Sequence, residues 1–444
     1  MPAQTYQLRK HRQLRPSGGF GRVSAKRRCR ICGEDNWCGF ARDERTSICM
    51  RIGKGASGRT RPSSIGQGWI HIHKEISIST GYQTAPVRTT PAVERAPLEV
   101  RDAIYRELIR ISPATRYRNE LVDGPNGLRA RGLSPADTLN YGALPASRVK
   151  RAALAKTLRS FAKSRFPEYA DLAGIPGFWQ NDKGESQIWT RHDFHGPMLV
   201  IPYKDGDGRI HACQIRLHPD DVTSDNPKKY RWLSSPKDSR GASSGTPIHF
   251  TFDPKSLPPR SDVVLTEGGL KADTVASLRP SAHLIATSGV SCSHDLLVAA
   301  ARPYNVLIGF DSDYLTNPAV CAQLASLIAA RELDLQTHSD VDHRTTRILS
   351  WDGQKGIDDA VKHKTAISVI SIDVWFASLS DDSQTAVTEI WRDMGYAKTQ
   401  NADGGSFHET TSHNSSNVTS NPGSAYRSFS AARPDTVTSD RPGL

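Results

Sequence analysis

The chain has 444 residues, of which 37% are hydrophobic, and its formal net charge is +12. This length suits two or three domains, and the modest apolar share indicates polar tails or linkers beside folded cores. The positive charge favours an anionic partner, most simply nucleic acid, or else serves solubility alone. No apolar run reaches the roughly 18 residues of a membrane span, and no secretory signal is recognisable, so we expect a cytoplasmic protein without a membrane partner.

The first part of the chain is basic and rich in cysteine. Residues 1–25 are predicted to form a basic flexible arm, and residues 26–75 contain the pattern Cys29-x2-Cys32-x5-Cys38-x10-Cys49. Four thiolates match the tetrahedral ligand set of Zn²⁺, and a segment with few large apolar residues needs the metal in order to fold. The sequence therefore predicts a zinc-finger-like module. His71 is an alternative fourth ligand if Trp37-Cys38 packs inside, and free thiols in a disordered arm are the other interpretation.

A Thr- and Pro-rich linker is predicted at 76–97, followed by a helical and β-hairpin region at 98–260. Apolar residues recur at helical spacing after Pro97, and residues 148–165 form a basic helical stretch. The hairpin is indicated by the apolar run at 198–201, the turn Asp205-Gly-Asp-Gly208 and the alternating segment at 209–217.

From residue 262 onward, short apolar strands alternate with helices, which predicts an α/β domain with a parallel sheet over 261–380. The predicted strands are 262–266, 283–287, 305–310 and 346–351, and the predicted helices are 270–278, 293–302 and 317–333. Residues 400–444 are rich in Ser, Thr and Asn and are predicted to be disordered.

Acidic residues follow two of these strands. Glu267 follows the first strand, and Asp311 and Asp313 follow the third. Because open α/β sheets bind ligands at the carboxyl ends of their strands, three carboxylates there suit Mg²⁺ or Mn²⁺. The alternative is a solvated turn without function.

The order strand–Glu-Gly, strand–Gly, strand–Asp-x-Asp resembles the TOPRIM family, which includes bacterial primases, topoisomerases and some nucleases. The resemblance covers about residues 260–365 and includes Lys355-Gly-Ile-Asp-Asp359, similar to an acidic segment of primases. It implies that Glu267 is a catalytic acid, base or metal ligand and that Asp311 and Asp313 bind Mg²⁺. The segment Tyr314-Leu-Thr-Asn-Pro318 departs from primases, which usually have small residues and a Gly there.

The region upstream resembles the bacterial primase core in its hairpin at 201–216 and in Lys229-Tyr-Arg-Trp-Leu-Ser-Ser-Pro236. Residues 95–365 as a whole resemble TOPRIM proteins of unknown function encoded on phages, plasmids and integrative elements. The resemblance implies a primase-like α+β subdomain before the sheet, with a basic cleft for template or nucleotide, unless these charges are ordinary surface residues. The candidates for nucleic-acid or nucleotide binding are Lys204, Arg209, Arg216, Lys228, Lys229, Arg231, Lys271 and Lys355.

We therefore expect a primase-like nucleotidyltransferase that makes primers on single-stranded DNA from nucleoside triphosphates during replication of a mobile element. No stretch fits the P-loop pattern, so a replicative helicase would act in trans. One alternative is a TOPRIM nuclease or a topoisomerase-like enzyme, which needs a catalytic tyrosine; Tyr105, Tyr117 and Tyr141 lie in no recognisable setting. Another is a non-catalytic DNA-binding replication factor.

Overall fold

The computed structural model describes residues 20–41, 46–54, 56, 58–60, 68–72, 93–224, 227–338 and 344–396. The chain divides into a compact unit up to Tyr396 and a second unit at 397–444. The predicted disordered tail lies outside the described residues, as do nearly all of the predicted arm and most of the predicted linker. In the described ranges, no helix combines the length and apolar composition needed to cross a membrane.

The N-terminal module is a small antiparallel sheet in the order β1-β2-β3-β5-β4. Its strands are β1 (Phe20–Arg22), β2 (Gly39–Ala41), β3 (Thr46–Cys49), β4 (Gly58–Arg59) and β5 (Trp69–Ile72). The buried centre of this module consists of Val23 and three cysteines rather than large apolar side chains. So few apolar residues contribute little burial energy, which leaves the fold dependent on another source of stability.

The helix–hairpin region, Leu98–Trp232, contains helices packed on an antiparallel sheet in the order β11-β10-β9-β6. Its elements are α1 (Leu98–Ile111), α2 (Leu128–Arg131), β6 (Gly142–Leu144), α3 (Arg148–Arg165), the separate pair β7 (Phe178–Gln180) and β8 (Ser186–Ile188), β9 (Met198–Lys204), β10 (Ile210–Arg216) and β11 (Tyr230–Trp232). The predicted hairpin is confirmed by the antiparallel pairing of β9 with β10. Asp205 builds its turn, because its Oδ1 accepts the backbone N–H groups of Asp207 at 3.0 Å and Arg209 at 2.9 Å.

The hairpin carries apolar side chains on both faces, since each face packs against a core. Val200 and Ile215 face a core that includes residues of α1 and α3. Leu199 and Ile201 face the opposite core, which also contains Leu270 from the following region. The hairpin therefore packs against α1 and α3 on one face and against Leu270 on the other.

The sheet region, His249–Tyr396, has six strands in the order β12-β14-β13-β15-β16-β17. Its elements are β12 (His249–Phe250), β13 (Asp262–Glu267), α4 (Gly269–Leu278), β14 (Leu284–Thr287), α5 (His294–Ala301), β15 (Asn305–Ile308), α6 (Pro318–Thr337), β16 (Thr346–Ser350), α7 (Ile357–Lys362), β17 (Ser368–Ser371), α8 (Ile372–Ala377) and α9 (Asp381–Asp393). The inner four strands are parallel, as the sequence predicts, whereas both edge strands run antiparallel.

The antiparallel edge β17 follows from the length of α7. This helix has 6 residues and rises only about 9 Å, whereas the 5 residues of β16 extend about 16 Å. The helix cannot return the chain to the opposite end of the sheet, so β17 starts beside the end of β16, with Ser368 paired to Ser350.

Two cores sandwich the sheet. Val263 and Leu265 face the larger one, which includes residues of α5, α6, α8 and α9. Val264 and Leu307 face the other, beside α4 and α7. This α/β architecture fixes the carboxyl ends of β13, β15 and β16 side by side.

Candidate active site and cysteine cluster

Acidic side chains meet at the carboxyl ends of three neighbouring parallel strands, β13, β15 and β16. Glu267 is the last residue of β13, and Asp311 and Asp313 lie just after β15. Asp358 lies in the first turn of α7, which follows β16. We call Glu267, Asp311, Asp313 and Asp358 the carboxylate edge; the first three are the predicted catalytic residues.

Two lysines lie among these carboxylates. Lys271, in the first turn of α4, donates to Asp311 Oδ1, and its Nζ is 3.6 Å from Glu267 Oε1. Lys355 Nζ lies 3.0 Å from Asp313 Oδ2 and 3.9 Å from Asp311 Oδ2. Both were predicted to bind nucleic acid or nucleotide, and the structure pairs both with the predicted metal ligands.

Burial perturbs the protonation of this edge. Burial raises the pKa of Glu267, Lys271 lowers it, and Asp311 and Asp313 raise it, so that the net pKa is about 7. Burial also raises the pKa of Asp358. For Lys271, burial lowers the pKa, but the carboxylates of Glu267 and Asp311 outweigh it, and the net shift is upward. A carboxyl that titrates near neutral pH is suited to proton transfer.

Arg131 connects the carboxylate edge to the helix–hairpin region. It ends α2, and its Nη1 lies 3.4 Å from Asp358 Oδ2. Neither residue is among the predicted site residues, although Asp358 belongs to the acidic segment noted in the sequence. The Gly-Ile-Asp-Asp segment after β16 could have identified Asp358 from the sequence. No motif around Arg131 could have identified that residue in the same way.

Arg131, Arg216 and Lys229 form a group that we call the cationic cluster. Burial lowers the pKa of Arg216, and Arg131 lowers it further. Partial burial likewise lowers the pKa of Lys229, with contributions from Arg131 and Arg216. Arg216 donates to the carbonyl of Asn126 at 2.7 Å, but its buried Nη1 has no hydrogen-bond acceptor within the described ranges. Arg216 itself is only 5% exposed, so Arg131 and Lys229 are the cations of this group that a polyanionic ligand such as a phosphate chain can reach.

The other predicted basic residues lie in different settings. Arg209 pairs with Asp205 and Asp207 inside the hairpin turn. The backbone N–H of Lys204 donates to His249 at 3.0 Å, so Lys204 lies at the junction with the sheet region. Lys228 is exposed, and Arg231 is partly buried on β11 beside Tyr230. The structure therefore separates Arg209, whose charge is balanced locally, from the cationic cluster.

The donor set of the carboxylate edge fits Mg²⁺ or Mn²⁺, because carboxylate oxygens are the ligands that these ions prefer. Asp311 and Asp313 would hold the ion, with Glu267 beside them. In this structure, the ammonium groups of Lys271 and Lys355 contact oxygens of Asp311 and Asp313, respectively. Binding of a metal ion would therefore compete with a lysine.

The four N-terminal cysteines converge. Within the described ranges, they are the one group of three or more His, Cys, Asp or Glu residues whose ligand atoms all lie within 4.8 Å of one another. Sγ of Cys38 lies 3.7 Å from that of Cys32 and 3.9 Å from that of Cys49. Tetrahedral Zn²⁺ with bonds of about 2.3 Å places its sulfurs about 3.8 Å apart. The cluster therefore has the dimensions of a zinc site.

Backbone amides and one arginine surround these sulfurs. The amide of Met50 donates to Cys38 Sγ at 3.3 Å, and that of Ile52 donates to Cys49 Sγ at 3.3 Å. Arg51 Nη1 approaches Cys38 Sγ at 3.7 Å and Cys32 Sγ at 3.8 Å. These donors stabilise negative charge on sulfur, as a set of metal-bound thiolates requires.

His71, the alternative fourth ligand, lies outside the cluster. It is buried on β5, and its Nε2 is 2.8 Å from the carbonyl oxygen of Ile52. The alternative depended on Trp37-Cys38 packing inside together, but only Cys38 is buried. Trp37 is 52% exposed and adopts a positive φ of 64°, which turns its side chain outward from the cluster.

No protein-family model matches this chain, and no curated protein matches it. Several solved structures are similar. The zinc-binding and RNA polymerase domains of Aquifex aeolicus primase share 14% identity over 69% of this chain and 70% of that chain, with a TM-score of 0.42. A DNA primase domain from Pseudomonas aeruginosa shares 14% over 68% and 97%, with a TM-score of 0.43. A DnaG primase catalytic domain bound to single-stranded DNA shares 16% over 67% and 91%, with a TM-score of 0.41.

Proposed function

We propose that this chain is a primase-like nucleotidyltransferase with a TOPRIM-type site, which joins nucleotides into a primer on single-stranded DNA. The observation that carries the proposal is the contact between Arg131 and Asp358 at 3.4 Å. It places a group of cations suited to phosphates directly beside carboxylates suited to a divalent metal ion. Polymerising nucleotidyl transfer needs both at one place.

In the proposed reaction, the 3′-hydroxyl oxygen of the growing strand attacks the α-phosphorus of a nucleoside triphosphate, and pyrophosphate leaves. Arg131 and Lys229 bind and orient the triphosphate. Glu267, with a pKa of about 7, accepts the hydroxyl proton. Asp311 and Asp313 would hold a Mg²⁺ ion, which would supply positive charge to neutralise the phosphate oxygens.

In this proposal the N-terminal module binds Zn²⁺ through Cys29, Cys32, Cys38 and Cys49 and holds the template strand. The sulfur spacing described above supports the zinc site, and the exposed side chains of Trp37, Lys26 and Arg28 in the same module support the contact with the template. Cations and exposed aromatic rings together suit single-stranded nucleic acid. We further propose that the chain serves a mobile genetic element and works with a helicase in trans, as the sequence resemblance implies.

Strand cleavage is the second candidate, because a carboxylate edge also serves metal-dependent nucleases. Two of the three candidate tyrosines do not suit the tyrosine chemistry of a topoisomerase; the third, Tyr117, is partly buried at the end of a short 3-10 turn. Tyr105 is fully buried and donates to the carbonyl of Pro176 at 2.9 Å, and the hydroxyl of buried Tyr141 donates to Asp273 at 2.6 Å. Neither hydroxyl is accessible to a DNA phosphate.

One set of assays separates the candidates. The purified chain, with Zn²⁺ and Mg²⁺ present, is incubated with circular single-stranded DNA and labelled ribonucleoside triphosphates. Short labelled products that depend on Asp311 and Asp313 support the proposal. Nicking of labelled DNA with the same dependence replaces it with the nuclease assignment. DNA binding without either reaction leaves a non-catalytic binding factor.

A further inference from the structure

Lys271 lies inside the carboxylate edge rather than on its rim. Its side chain is only 15% exposed, whereas that of Lys355 is 66% exposed. Its ammonium contacts Asp311 and approaches Glu267 Oε1 at 3.6 Å. Lys355 can turn its side chain into solvent and so move away from its carboxylates. Lys271 projects from a helix that packs against the sheet, and its side chain cannot move into solvent in the same way.

The loop before α7 is shaped around this ammonium. A Cβ atom on Gly356 would lie 3.3 Å from Lys271 Nζ, 3.2 Å from Asp311 Oδ1 and 2.5 Å from Asp358 Oδ1. A larger residue at this position would push the ends of the Asp358, Asp311 and Lys271 side chains away from their present places. Gly356 has a φ of −108°, so the requirement is one of space and not of backbone conformation.

The charged groups at the carboxylate edge are of three kinds: carboxylates, partly buried cations and one exposed cation. Four carboxylates contribute four negative charges when ionised. Lys271 and Arg131 are cations held in partly buried contacts with them, which balance two of the four. Lys355 is the exposed, exchangeable cation. Lys271 therefore already supplies a positive charge between Glu267 and Asp311, and Lys355 is the cation that an incoming divalent ion would displace.

We infer that Lys271 is a built-in cation, whose ammonium takes the place between Glu267 and Asp311 that a second divalent ion would need. The edge then binds a single divalent metal ion, on the Asp311 and Asp313 side, and that ion displaces Lys355. The inference rests on the proposed function for the use of a divalent ion. It makes Lys271 a determinant of metal stoichiometry rather than the nucleic-acid contact that the sequence predicts.

Direct binding of Mn²⁺ tests the inference without any activity assay. Zinc-loaded protein is titrated with Mn²⁺, with free Mn²⁺ followed by electron paramagnetic resonance and binding heat by calorimetry. We expect one Mn²⁺ per chain for the wild type. Lys271→Met should bind a second Mn²⁺, or bind the first at least about tenfold more tightly, because one positive charge has been removed from a buried site. Lys271→Arg, which keeps the charge, should retain one.

Lys355→Met is the matched control, since it removes an exposed ammonium from the same edge. It should keep a stoichiometry of one and tighten binding by less than Lys271→Met does. Zinc content and circular dichroism verify the fold of each variant, and if Lys271→Met fails to fold, Lys271→Gln, which also removes the charge, takes its place in the titration. The role of Lys271 is contradicted if the wild type binds two Mn²⁺, or if Lys271→Met binds Mn²⁺ as the wild type does or more weakly. Either result leaves the proposed function untouched. Absence of Mn²⁺ binding in the wild type overturns the proposed metal-dependent function as well.

Discussion

Arg131 and Asp358 are separated by 227 residues in the chain, yet Arg131 Nη1 lies 3.4 Å from Asp358 Oδ2. This contact joins one residue of the cationic cluster in the helix–hairpin region to the carboxylate edge of the sheet region. In the proposed function, a phosphate chain bound to Arg131 would therefore lie next to the carboxylates.

The carboxylates should be required for chemistry but not for DNA binding. Asp311→Asn or Asp313→Asn should abolish Mg²⁺-dependent primer synthesis, because each removes a charged ligand oxygen. Glu267→Gln should lower the rate by about 10²- to 10⁴-fold, as expected for the loss of a general base. Rates come from incorporation of labelled nucleotide, and affinity for single-stranded DNA from fluorescence anisotropy. Asp352→Asn, an exposed aspartate after β16, is the control and should retain activity. Wild-type synthesis by all three variants would refute the assignment.

The cationic cluster should set nucleotide affinity. Arg131→Ala should weaken binding of a nucleoside triphosphate by about 10- to 100-fold, since a charge-assisted contact to phosphate is lost. Arg129→Ala is a matched control on the same short helix, because Arg129 is 48% exposed and lies 3.9 Å from Asp123 on the surface. Affinity is measured by calorimetry with a non-hydrolysable triphosphate. Equal losses in the two variants would show that the effect is general charge and not the cluster.

The cysteine cluster should hold one Zn²⁺ per chain, which elemental analysis measures directly. Cys29→Ser or Cys49→Ser should lose the metal, and the N-terminal module should then become sensitive to protease, because it has little apolar core of its own. Cys292→Ser, a partly buried cysteine in the sheet region, should leave zinc content unchanged. Normal protease resistance in the metal-free cysteine variants would contradict a structural zinc site.

Trp37 should contribute to binding of single-stranded DNA by stacking on an unpaired base. Trp37→Leu should weaken affinity by about fivefold or more, and Trp37→Phe, which keeps an aromatic face, should weaken it less. Leu139→Ala, an exposed apolar residue outside the module, serves as the control. Affinity should also fall steeply with salt in all variants. Identical affinities for Trp37→Leu and the wild type would remove Trp37 from the DNA-binding surface.

His211 should make stability sensitive to mild acid. Burial lowers its pKa to about 4, whereas an unfolded histidine titrates near 6.5. The unfolded state therefore binds more protons between these values, and the stability that neutral His211 provides above about pH 6.5 is lost as the pH falls toward 4. The loss is at most about 3 kcal/mol. Denaturant unfolding at neutral and acid pH should show a smaller acid loss for His211→Gln, whose amide can still donate to the carbonyl of Ile248. An equal loss in both proteins would exclude this role.

The parts of the site that follow strand ends could be predicted from the sequence. Glu267, Asp311 and Asp313 are recognisable because each lies just beyond an apolar strand, and parallel strands align their carboxyl ends. Arg131 could not be found in this way, since its position depends on how α2 packs against α7. Lys271 was predicted as a contact to nucleic acid because its charge is visible in the sequence, whereas the carboxylates that surround it become neighbours only in the folded sheet.

The fold, like the site, could be predicted from the sequence only in part. Alternating strands and helices predict the four inner strands, since each is a continuous apolar run. The edge strand β12 escapes prediction because it has only two residues, and its pairing partner β14 begins more than thirty residues later. The antiparallel direction of β17 depends on the length of α7, which hydrophobic periodicity does not reveal.

The pairing of β12 with β14 also bears on how this protein can be divided. β12 precedes the predicted start of the sheet domain at residue 261, yet its His249 and Phe250 cover the outer edge of β14. A fragment that begins at 261 would leave the backbone amides and carbonyls of β14 open to pairing with another copy. Fragments that begin before β12 should accordingly remain monodisperse at concentrations where fragments that begin at 261 aggregate.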